Sequence, residues 1–275
     1  MATLSDLKTM TEKPQNLILT LDTSSPRASL AIGYGDNLLA QMGISGNERR
    51  SSNLLSEIDY LLARAGLSIK DIAAFAVIVG PGSFTGLRVG IATIKGFAHA
   101  LGCPVIALKS TEVLARIAGT TNCSAVLLDA HRSEVFAQLF NVDENGQVKE
   151  LCDLLIGKVE KILSVFYEYQ QEENLPRMIF VGDGVNLHKE VLLDYASKNS
   201  LQIHQAKLLT ANNLGWILHR PINFLALEAA LYAQEKFALG ETISADELSA
   251  YYVRPAEAEV KLQLGLIGKK KSNLS

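Results

Sequence analysis

The chain has 275 residues, of which 48% are hydrophobic and 20% charged, a composition typical of a globular protein with one two-lobed domain or two small ones. Its formal net charge of −3 argues against a domain that binds nucleic acid alone through a basic face. Three scattered cysteines with no C-x-x-C pair indicate a reducing cytoplasm, and no run approaches the roughly 18–20 apolar residues that a membrane span needs.

Two strands joined by a polar turn are predicted at the start of the chain. Apolar alternation at 17–21 and again at 28–32 flanks the segment Asp22-Thr-Ser-Ser-Pro26. A third strand is expected near 38–41. Short polar side chains favour tight turns, so residues 22–26 are expected to reverse the direction of the chain.

The next predicted element is an amphipathic helix that ends at Gly66. Its apolar residues recur at helical spacing: Leu54, Leu55, Ile58, Leu61, Leu62 and Ala65. One stripe of these residues suffices to cover a sheet. Leu55 and Leu62, which flank Ser51 and Asp59, are therefore expected to be covered by another chain, either a partner or a second copy.

A glycine-rich segment, Gly80-Pro-Gly-Ser-Phe-Thr-Gly-Leu-Arg-Val-Gly90, links the apolar strand 75–79 to a second helix that continues to about Leu101. Ser83 is the expected N-cap of this helix. Gly82, Gly86 and Gly90 recur every fourth residue and so share one side of it, which costs about 2–3 kcal/mol of helix propensity relative to alanine. A helix with that penalty is expected to receive another group at very short range.

Three kinds of group could contact the glycine side of this helix. A phosphate can bind at the N-terminus of such a helix, a helix from another chain can pack there, or the helix packs tightly on its own sheet. The segment matches neither the Walker motif nor the G-x-G-x-x-G dinucleotide pattern. Because bulky residues suit the chain's own core, the small stripe with Gly86, Gly90 and Thr93 is expected to form a partner surface together with the first helix.

The order of elements repeats in the second half of the chain. Two strands are predicted around another polar turn, then a third strand, a helix and a strand that ends in a glycine turn, at 125–129, 135–140, 148–152, 159–169 and 178–184. The offset from Asp22 to Asp129 is 107 residues, and the offset from Val79 to Val181 is 102. Matched order and spacing predict an internal duplication, that is, an α/β protein with two βββαβα lobes and a cleft between them.

Residues that would carry catalysis are scarce. The five histidines include no H-x-x-x-H or H-E-x-x-H pair, so no metal site is predicted. Ser83 does not lie in a G-x-S-x-G motif, and its expected role is capping. Asp22 and Asp129 could form an acid–base pair across the cleft, which is the one catalytic arrangement left open.

The segment 80–90 closely resembles the signature of the TsaB (YeaZ) family. Five other segments agree with it: LTLDTSS at 19–25, LLSEIDYLLARAGLS at 54–68, GIATIKGFAHALGCPV at 90–105, LLDAHRSEVF at 127–136 and ELSAYYVRP at 247–255. The resemblance covers roughly residues 16–257. One departure is Arg50, which stands where many members carry histidine.

The resemblance implies the fold of actin, sugar kinases and Hsp70 (the ASKHA fold). A first lobe is expected at 16–108 and a second at 109–257, with a C-terminal helix able to pack back on the first lobe. Residues 1–15 are expected to be a disordered N-terminal extension, and residues 258–275 a polar tail that contains the basic run Lys269–Lys271.

In that superfamily each lobe offers a hairpin turn to the nucleotide phosphates, and a glycine turn of the second lobe lies near the base and ribose. By resemblance, a vestigial nucleotide cleft would contain Asp22, Thr23, Ser24, Asp129, Gly182 and Gly184. Backbone N–H groups of such turns can cradle phosphate, and a carboxylate can hold hydrated Mg²⁺. The plainer alternative is that Asp and Ser simply make good hairpin turns.

The resemblance also implies a function, that of a non-catalytic partner of TsaD. TsaD transfers threonylcarbamoyl to N6 of adenosine 37 in tRNAs reading codons that begin with A, and it holds its metal with a paired-histidine motif that is missing from this sequence. The implied complex also recruits the ATPase TsaE, and this chain would meet tRNA only indirectly, through the complex. A homodimer is also open, and no membrane is involved.

No tightly bound cofactor is expected, and ATP or ADP would enter only at the level of the complex. The alternative function is a small nucleotide-dependent phosphotransferase of the same fold.

Overall fold

The structure, a computed structural model, describes residues 14–44, 50–205 and 214–252, with side chains from residue 53 onward in the middle range. Nearly all of the predicted N-terminal extension, the whole polar tail and the side chain of Ser51 lie outside the described residues. No helix within these ranges is long and apolar enough to cross a membrane.

The first lobe is built on a five-stranded sheet. Its elements are β1 (Ile18–Asp22), β2 (Ala28–Tyr34), β3 (Asn37–Ile44), α1 (Arg50–Arg64), β4 (Ala74–Gly80), α2 (Phe84–Leu101) and β5 (Val105–Lys109). The strand order is β3-β2-β1-β4-β5, antiparallel from β3 to β1 and parallel from β1 to β5. β1 and β4 are buried along their whole length, which explains their nearly continuous apolar sequences.

The second lobe repeats this plan with additional elements. They are α3 (Ser110–Ile117), β6 (Thr121–Asp129), β7 (Glu134–Val142), β8 (Val148–Glu150), β9 (Leu155–Lys158), α4 (Val159–Glu172), β10 (Arg177–Val181), α5 (Asp183–Leu187), α6 (Lys189–Lys198), β11 (Ile203–Gln205) and β12 (Gly215–Leu218). The sheet order is β11-β12-β10-β6-β7-β8, so β6, β7 and β10 correspond to β1, β2 and β4. The predicted duplication and ASKHA-type fold are confirmed.

One predicted strand is shorter in the structure than expected, and a further strand follows it. Residues 148–152 were expected to form the third strand of the second lobe, but β8 ends at Glu150 and β9 pairs separately with the other end of β7. β7 is long enough for β8 and β9 to pair with it one after the other along the same edge. The hairpin turn between β7 and β8 contains Gly146, with φ of 76°.

Helices cover both sheets and also separate them. α1 and α2 pack on the outer face of the first sheet, and α4 and α6 pack on the outer face of the second. α3 and a final helix, α7 (Ala226–Ala238), lie between the two sheets and share one apolar core with both.

The chain returns to the first lobe after the second sheet. α7 packs on β1 and β2, where the Gln234 side chain donates to Gly33 O at 2.7 Å and accepts from the Gly35 amide at 3.1 Å. Ile243 then pairs with Val105 at the edge of β5. The Tyr251 amide donates to Val79 O at 2.8 Å, so residues 243–252 run along the first lobe as far as the glycine turn.

Candidate functional site

The glycine turn packs on the first hairpin turn of its own lobe. Ser83 caps α2 as predicted, since its hydroxyl accepts a hydrogen bond from the Gly86 amide at 3.3 Å. A Cβ placed on Gly86 would lie 2.0 Å from Thr23 O, and one on Gly90 would lie 2.2 Å from Thr23 Oγ1. The expectation that Gly86 and Gly90 receive a helix from another chain is therefore wrong, because the turn at 22–24 already occupies that side of α2.

Hydrogen bonds close the contact between the two turns. The Thr23 hydroxyl donates to Gly86 O at 2.8 Å, and the Ser83 amide donates to Ser24 O at 2.6 Å. Thr23 and Ser24 are each only 5% exposed. The first hairpin turn thus uses the Thr23 hydroxyl and the Ser24 carbonyl within its own lobe.

Asp22, at the end of β1, is fully buried. Its Oδ1 accepts hydrogen bonds from the amide and the hydroxyl of Ser24, at 2.8 and 2.6 Å, whereas Oδ2 has no hydrogen-bond partner among the described residues. Burial raises the pKa of the Asp22 carboxyl to about 6, against the opposing effect of the two Ser24 hydrogen bonds. Asp22 is not part of the cleft lining, whereas Asp129 is, so the two do not face each other there as an acid–base pair.

The second hairpin turn is more open to solvent. His131, Arg132 and Ser133 have φ values of 61°, 55° and 61°, a left-handed backbone conformation that is uncommon for residues other than glycine. The Asp129 carboxylate accepts a hydrogen bond from the His131 amide at 2.8 Å and lies 3.3 Å from His131 Nδ1. Because the His131 side chain is 82% exposed, this pair faces the solvent.

A second carboxylate adjoins this turn. Asp183 Oδ1 accepts a hydrogen bond from the Asp129 amide at 3.0 Å. Burial is the main cause that raises the pKa of Asp183, and the negative charge of Asp129 acts in the same direction. Packing explains why glycines stand on either side of Asp183. A Cβ on Gly182 would lie 2.1 Å from Leu127 O near the end of β6, and a Cβ on Gly184 would lie 3.0 Å from it.

A cleft of about 170 Å³ lies between the lobes where these turns meet. Its polar lining comprises Ser24, Ser25, Ser83, Asp129, His131, Asp183 and Asn223, while Thr23, Gly182 and Gly184 lie outside it. Sites for small molecules usually measure about 300–1,000 Å³. Two carboxylates in the wall also oppose the approach of a phosphate. In the described ranges, no three His, Cys, Asp or Glu side chains are grouped so that they could hold a metal ion.

The outer face of α1 and α2 differs from the predicted surface. Leu62 is 3% exposed and belongs to the core of its own lobe, so the expectation that another chain covers it is wrong. Leu55 is 57% exposed and Asp59 is exposed, as predicted, and Tyr60 beside them is 59% exposed. Thr93 is half-buried, and its hydroxyl donates to Val89 O at 2.8 Å within α2.

A second row of small residues on α2 faces outward. Ala92, Gly96 and Ala100 are exposed, and a Cβ on Gly96 would meet no atom within 4 Å. Their four-residue spacing is as readable in the sequence as that of Gly82, Gly86 and Gly90. Only the position of the first hairpin turn decides which of the two rows lies inward.

Sequence reasoning also missed an aromatic cluster at the start of α2. The Arg88 guanidinium lies 3.9 Å from the ring centroid of Phe84, and Arg88 Nε donates to the Tyr252 hydroxyl at 3.0 Å. The rings of Phe84 and Tyr252 are 5.2 Å apart. The cluster joins the signature segment to the end of the described chain, across 164 residues of sequence.

Comparisons with known proteins agree with this fold. Residues 45–248 match the family TsaD, described as tRNA N6-adenosine threonylcarbamoyltransferase. Among solved structures, YeaZ from Pseudomonas aeruginosa superposes with a TM-score of 0.67 at 21% identity, over 87% of this chain and 100% of that chain.

Curated relatives carry a related name. The protein named tRNA threonylcarbamoyladenosine biosynthesis protein TsaB from Haemophilus influenzae is 28% identical over 261 residues, covering 87% of this chain and 94% of the relative. Its namesake from Bacillus subtilis is 27% identical over 178 residues, covering 64% and 75%, and that from Escherichia coli is 32% identical over 132 residues, covering 47% and 57%. The chain therefore belongs to the TsaD family, as a member that resembles TsaB (YeaZ).

Proposed function

We propose that the chain acts in the biosynthesis of threonylcarbamoyladenosine in tRNA, as a non-catalytic partner of a TsaD-type enzyme in the cytoplasm. The family match and the printed names of the relatives support the pathway. In this proposal the TsaD-type enzyme transfers the threonylcarbamoyl group to adenosine 37. This chain holds that enzyme in its competent form and makes no bond itself.

The observation that carries the proposal is the outer face of α1 and α2. It includes Leu55, an exposed apolar side chain of α1, and the exposed small row Ala92, Gly96 and Ala100 of α2. Small residues let a second helix approach closely, and large apolar side chains gain from losing water. A related protein with the same helix pair would complete a four-helix bundle here, and a second copy would form an isologous homodimer.

The cleft supports a non-catalytic role. The first hairpin turn is closed by α2, Asp22 lies outside the cleft lining, and the volume of about 170 Å³ is small for a nucleotide. These features disfavour a phosphotransferase. Nucleotide and the ATPase TsaE therefore enter, in this proposal, only when the complex has formed. With a net charge of −3, the chain contacts tRNA only through its partner.

Two substitutions on this face test the proposal by sedimentation and pull-down with the TsaD-type protein of the source cell. Leu55→Asp places a charge in the expected interface, and Gly96→Leu fills the place of the approaching helix. Each should weaken association by about 2 kcal/mol or more. Gly96→Leu improves helix propensity by about 0.8 kcal/mol, so lost binding would not reflect unfolding.

Matched controls are Leu239→Asp, at a leucine that is 67% exposed elsewhere, and Ser197→Leu on the exposed side of α6. Both should bind normally. Normal binding by Leu55→Asp and Gly96→Leu would place the partner surface elsewhere on the molecule.

A further inference from the structure

A buried arginine connects the two helices that lie between the sheets. Arg116 of α3 is 8% exposed, and its Nε donates to Glu228 at 2.7 Å. Its two Nη atoms donate to both oxygens of Glu235, at 2.6 and 2.8 Å. Glu228 and Glu235 are two turns apart on α7, so one guanidinium binds α7 at two positions along its length.

The same arginine also reaches the second sheet. Arg116 Nη1 donates to Gly146 O at 2.7 Å, in the hairpin turn between β7 and β8. Four of the five guanidinium N–H groups are thus used. A Cβ on Gly146 would lie 3.1 Å from Nη1, a tight contact, and the φ of 76° at this position also favours glycine.

A second set of contacts surrounds the first. The Tyr232 ring of α7 lies 4.7 Å from the Arg116 guanidinium, and its hydroxyl donates to Glu112 of α3 at 3.3 Å. Lys109, at the end of β5, lies 3.4 Å from Glu112 and 2.6 Å from Glu150, which ends β8. The network therefore extends from the first sheet through α3 to the β7–β8 hairpin of the second.

The network joins the two lobes because α7 is attached to the first sheet. α7 is fixed to the first sheet, through the bonds between Gln234 and residues 33 and 35 and through the Ala226 amide, which donates to Ser29 Oγ at 3.1 Å. Gly146 and Glu150 belong to the second sheet. Any rotation of one lobe relative to the other would have to pull Arg116 away from Gly146 or from its two glutamates. Guanidinium N–H groups of a side chain that is only 8% exposed would then lose their partners.

We propose that the Arg116 network locks the two lobes at one angle, so that the cleft between them neither opens nor closes. The first lobe, with its outer helices, is then held in one orientation whether or not the cleft contains a ligand. The proposal does not depend on the identity of any partner, because it concerns the isolated chain.

The test is the distance between the lobes, measured by electron spin resonance on paired spin labels. Asp36→Cys, in the exposed β2–β3 turn, and Glu173→Cys, after α4, supply the label sites in a background with Cys103, Cys123 and Cys152 replaced by alanine. The parent should give one narrow distance distribution that does not change when MgATP is added. Arg116→Met should broaden it and speed hydrogen exchange in α7 by about 100-fold.

Two further variants keep the result decisive. Arg64→Met, at an exposed arginine of α1, should leave the distribution narrow. The triple variant Arg116→Met/Glu228→Gln/Glu235→Gln removes the unpaired carboxylates, so it should stay folded and still show the broad distribution. A broad parent, a parent that shifts with MgATP, or a folded triple variant as narrow as the parent would each overturn the proposal.

Discussion

The hairpin turn at 22–26 and the turn at 129–133 connect equivalent strands of the two lobes. The strand before each turn ends against a glycine turn, which follows β4 in the first lobe and β10 in the second. In the first lobe that glycine turn leads into the 18 residues of α2, which cover Thr23 and Ser24. In the second it leads into the five residues of α5, and the turn at 129–133 stays open to solvent. The two turns have the same topology, but the length of the helix after the glycine turn determines how exposed each of them is.

The chemistry of the two turns differs in the same way. Asp22 is buried with one oxygen that has no hydrogen-bond partner in the described part of the chain, whereas Asp129 lines the cleft and lies beside the exposed His131. A turn that is packed against its own helix contributes to the fold, and a turn that faces a cleft remains available to a ligand. In this molecule the second turn is the more open of the two, since residues 131–133 are all exposed, whereas Asp22, Thr23 and Ser24 of the first turn are buried.

The largest expected effect concerns the glycines that bury the first turn. Gly86→Ala would place a Cβ 2.0 Å from the Thr23 carbonyl oxygen, and we expect it to lower the free energy of unfolding by at least about 3 kcal/mol. Gly184→Ala meets Leu127 at 3.0 Å and should cost only about 1–2 kcal/mol. Urea unfolding of both variants measures the difference.

Gly96→Ala is the control for helix propensity, since it meets no atom within 4 Å and should stabilise the chain by about 1 kcal/mol. A smaller loss for Gly86→Ala than for Gly184→Ala would contradict the tighter packing of the first turn.

The second prediction concerns the buried Asp22 carboxyl. Its pKa is about 6 in the folded chain and 3.8 without the fold, so the folded state binds the proton more tightly. The contribution of this group to the free energy of unfolding is fully present below about pH 4 and is lost as the pH rises through 6. The loss is about 3 kcal/mol. Asp22→Asn should remove this part of the pH dependence.

At pH 7.5 we expect Asp22→Asn to raise the free energy of unfolding by about 1–2 kcal/mol, less than the full amount because the new amide nitrogen would lack a partner. Urea unfolding between pH 4 and 8 provides the measurement. Asp129→Asn, in the open turn, should change stability by less than about 0.5 kcal/mol. A loss of stability in Asp22→Asn at pH 7.5 would mean that the buried charge is compensated.

The smallest expected effect concerns the backbone of the open turn. Ser133 is exposed with φ of 61°, so Ser133→Gly should relieve strain and stabilise the chain by about 0.5 kcal/mol. Ser197→Gly, the same change inside α6, should destabilise it by about 0.5 kcal/mol. Thermal unfolding of the two variants gives the comparison, and shifts of the same sign would argue against strain in the second turn.

Much of the fold could be predicted because it depends on local patterns. Apolar alternation located β1, β2, β6 and β7 to within a few residues, and the glycine turn with Ser83 as N-cap marked the start of α2. The matched offsets between the halves revealed the duplication. In each case neighbouring residues alone set the backbone preference or the period of burial.

The partner surface was predicted only in part. Leu55 and Asp59 are exposed as expected, but Leu62, Gly86 and Gly90 face their own lobe. Helical spacing tells which residues share a side of a helix, but it does not tell which side meets the sheet. For α2 that choice was made by the turn at 22–24, more than 60 residues earlier in the chain.

The sequence by itself determined the central strands of both lobes, the helices α1, α2 and α4, and the two-fold repeat. The tertiary structure alone decided that Asp22 is buried, that Gly86 and Gly90 face the first hairpin turn, and that Arg116 meets Gly146, Glu228 and Glu235. Local preferences act over a few residues, whereas burial and ion pairing depend on which distant segments share the same space. That information exists only once the two lobes have packed against each other.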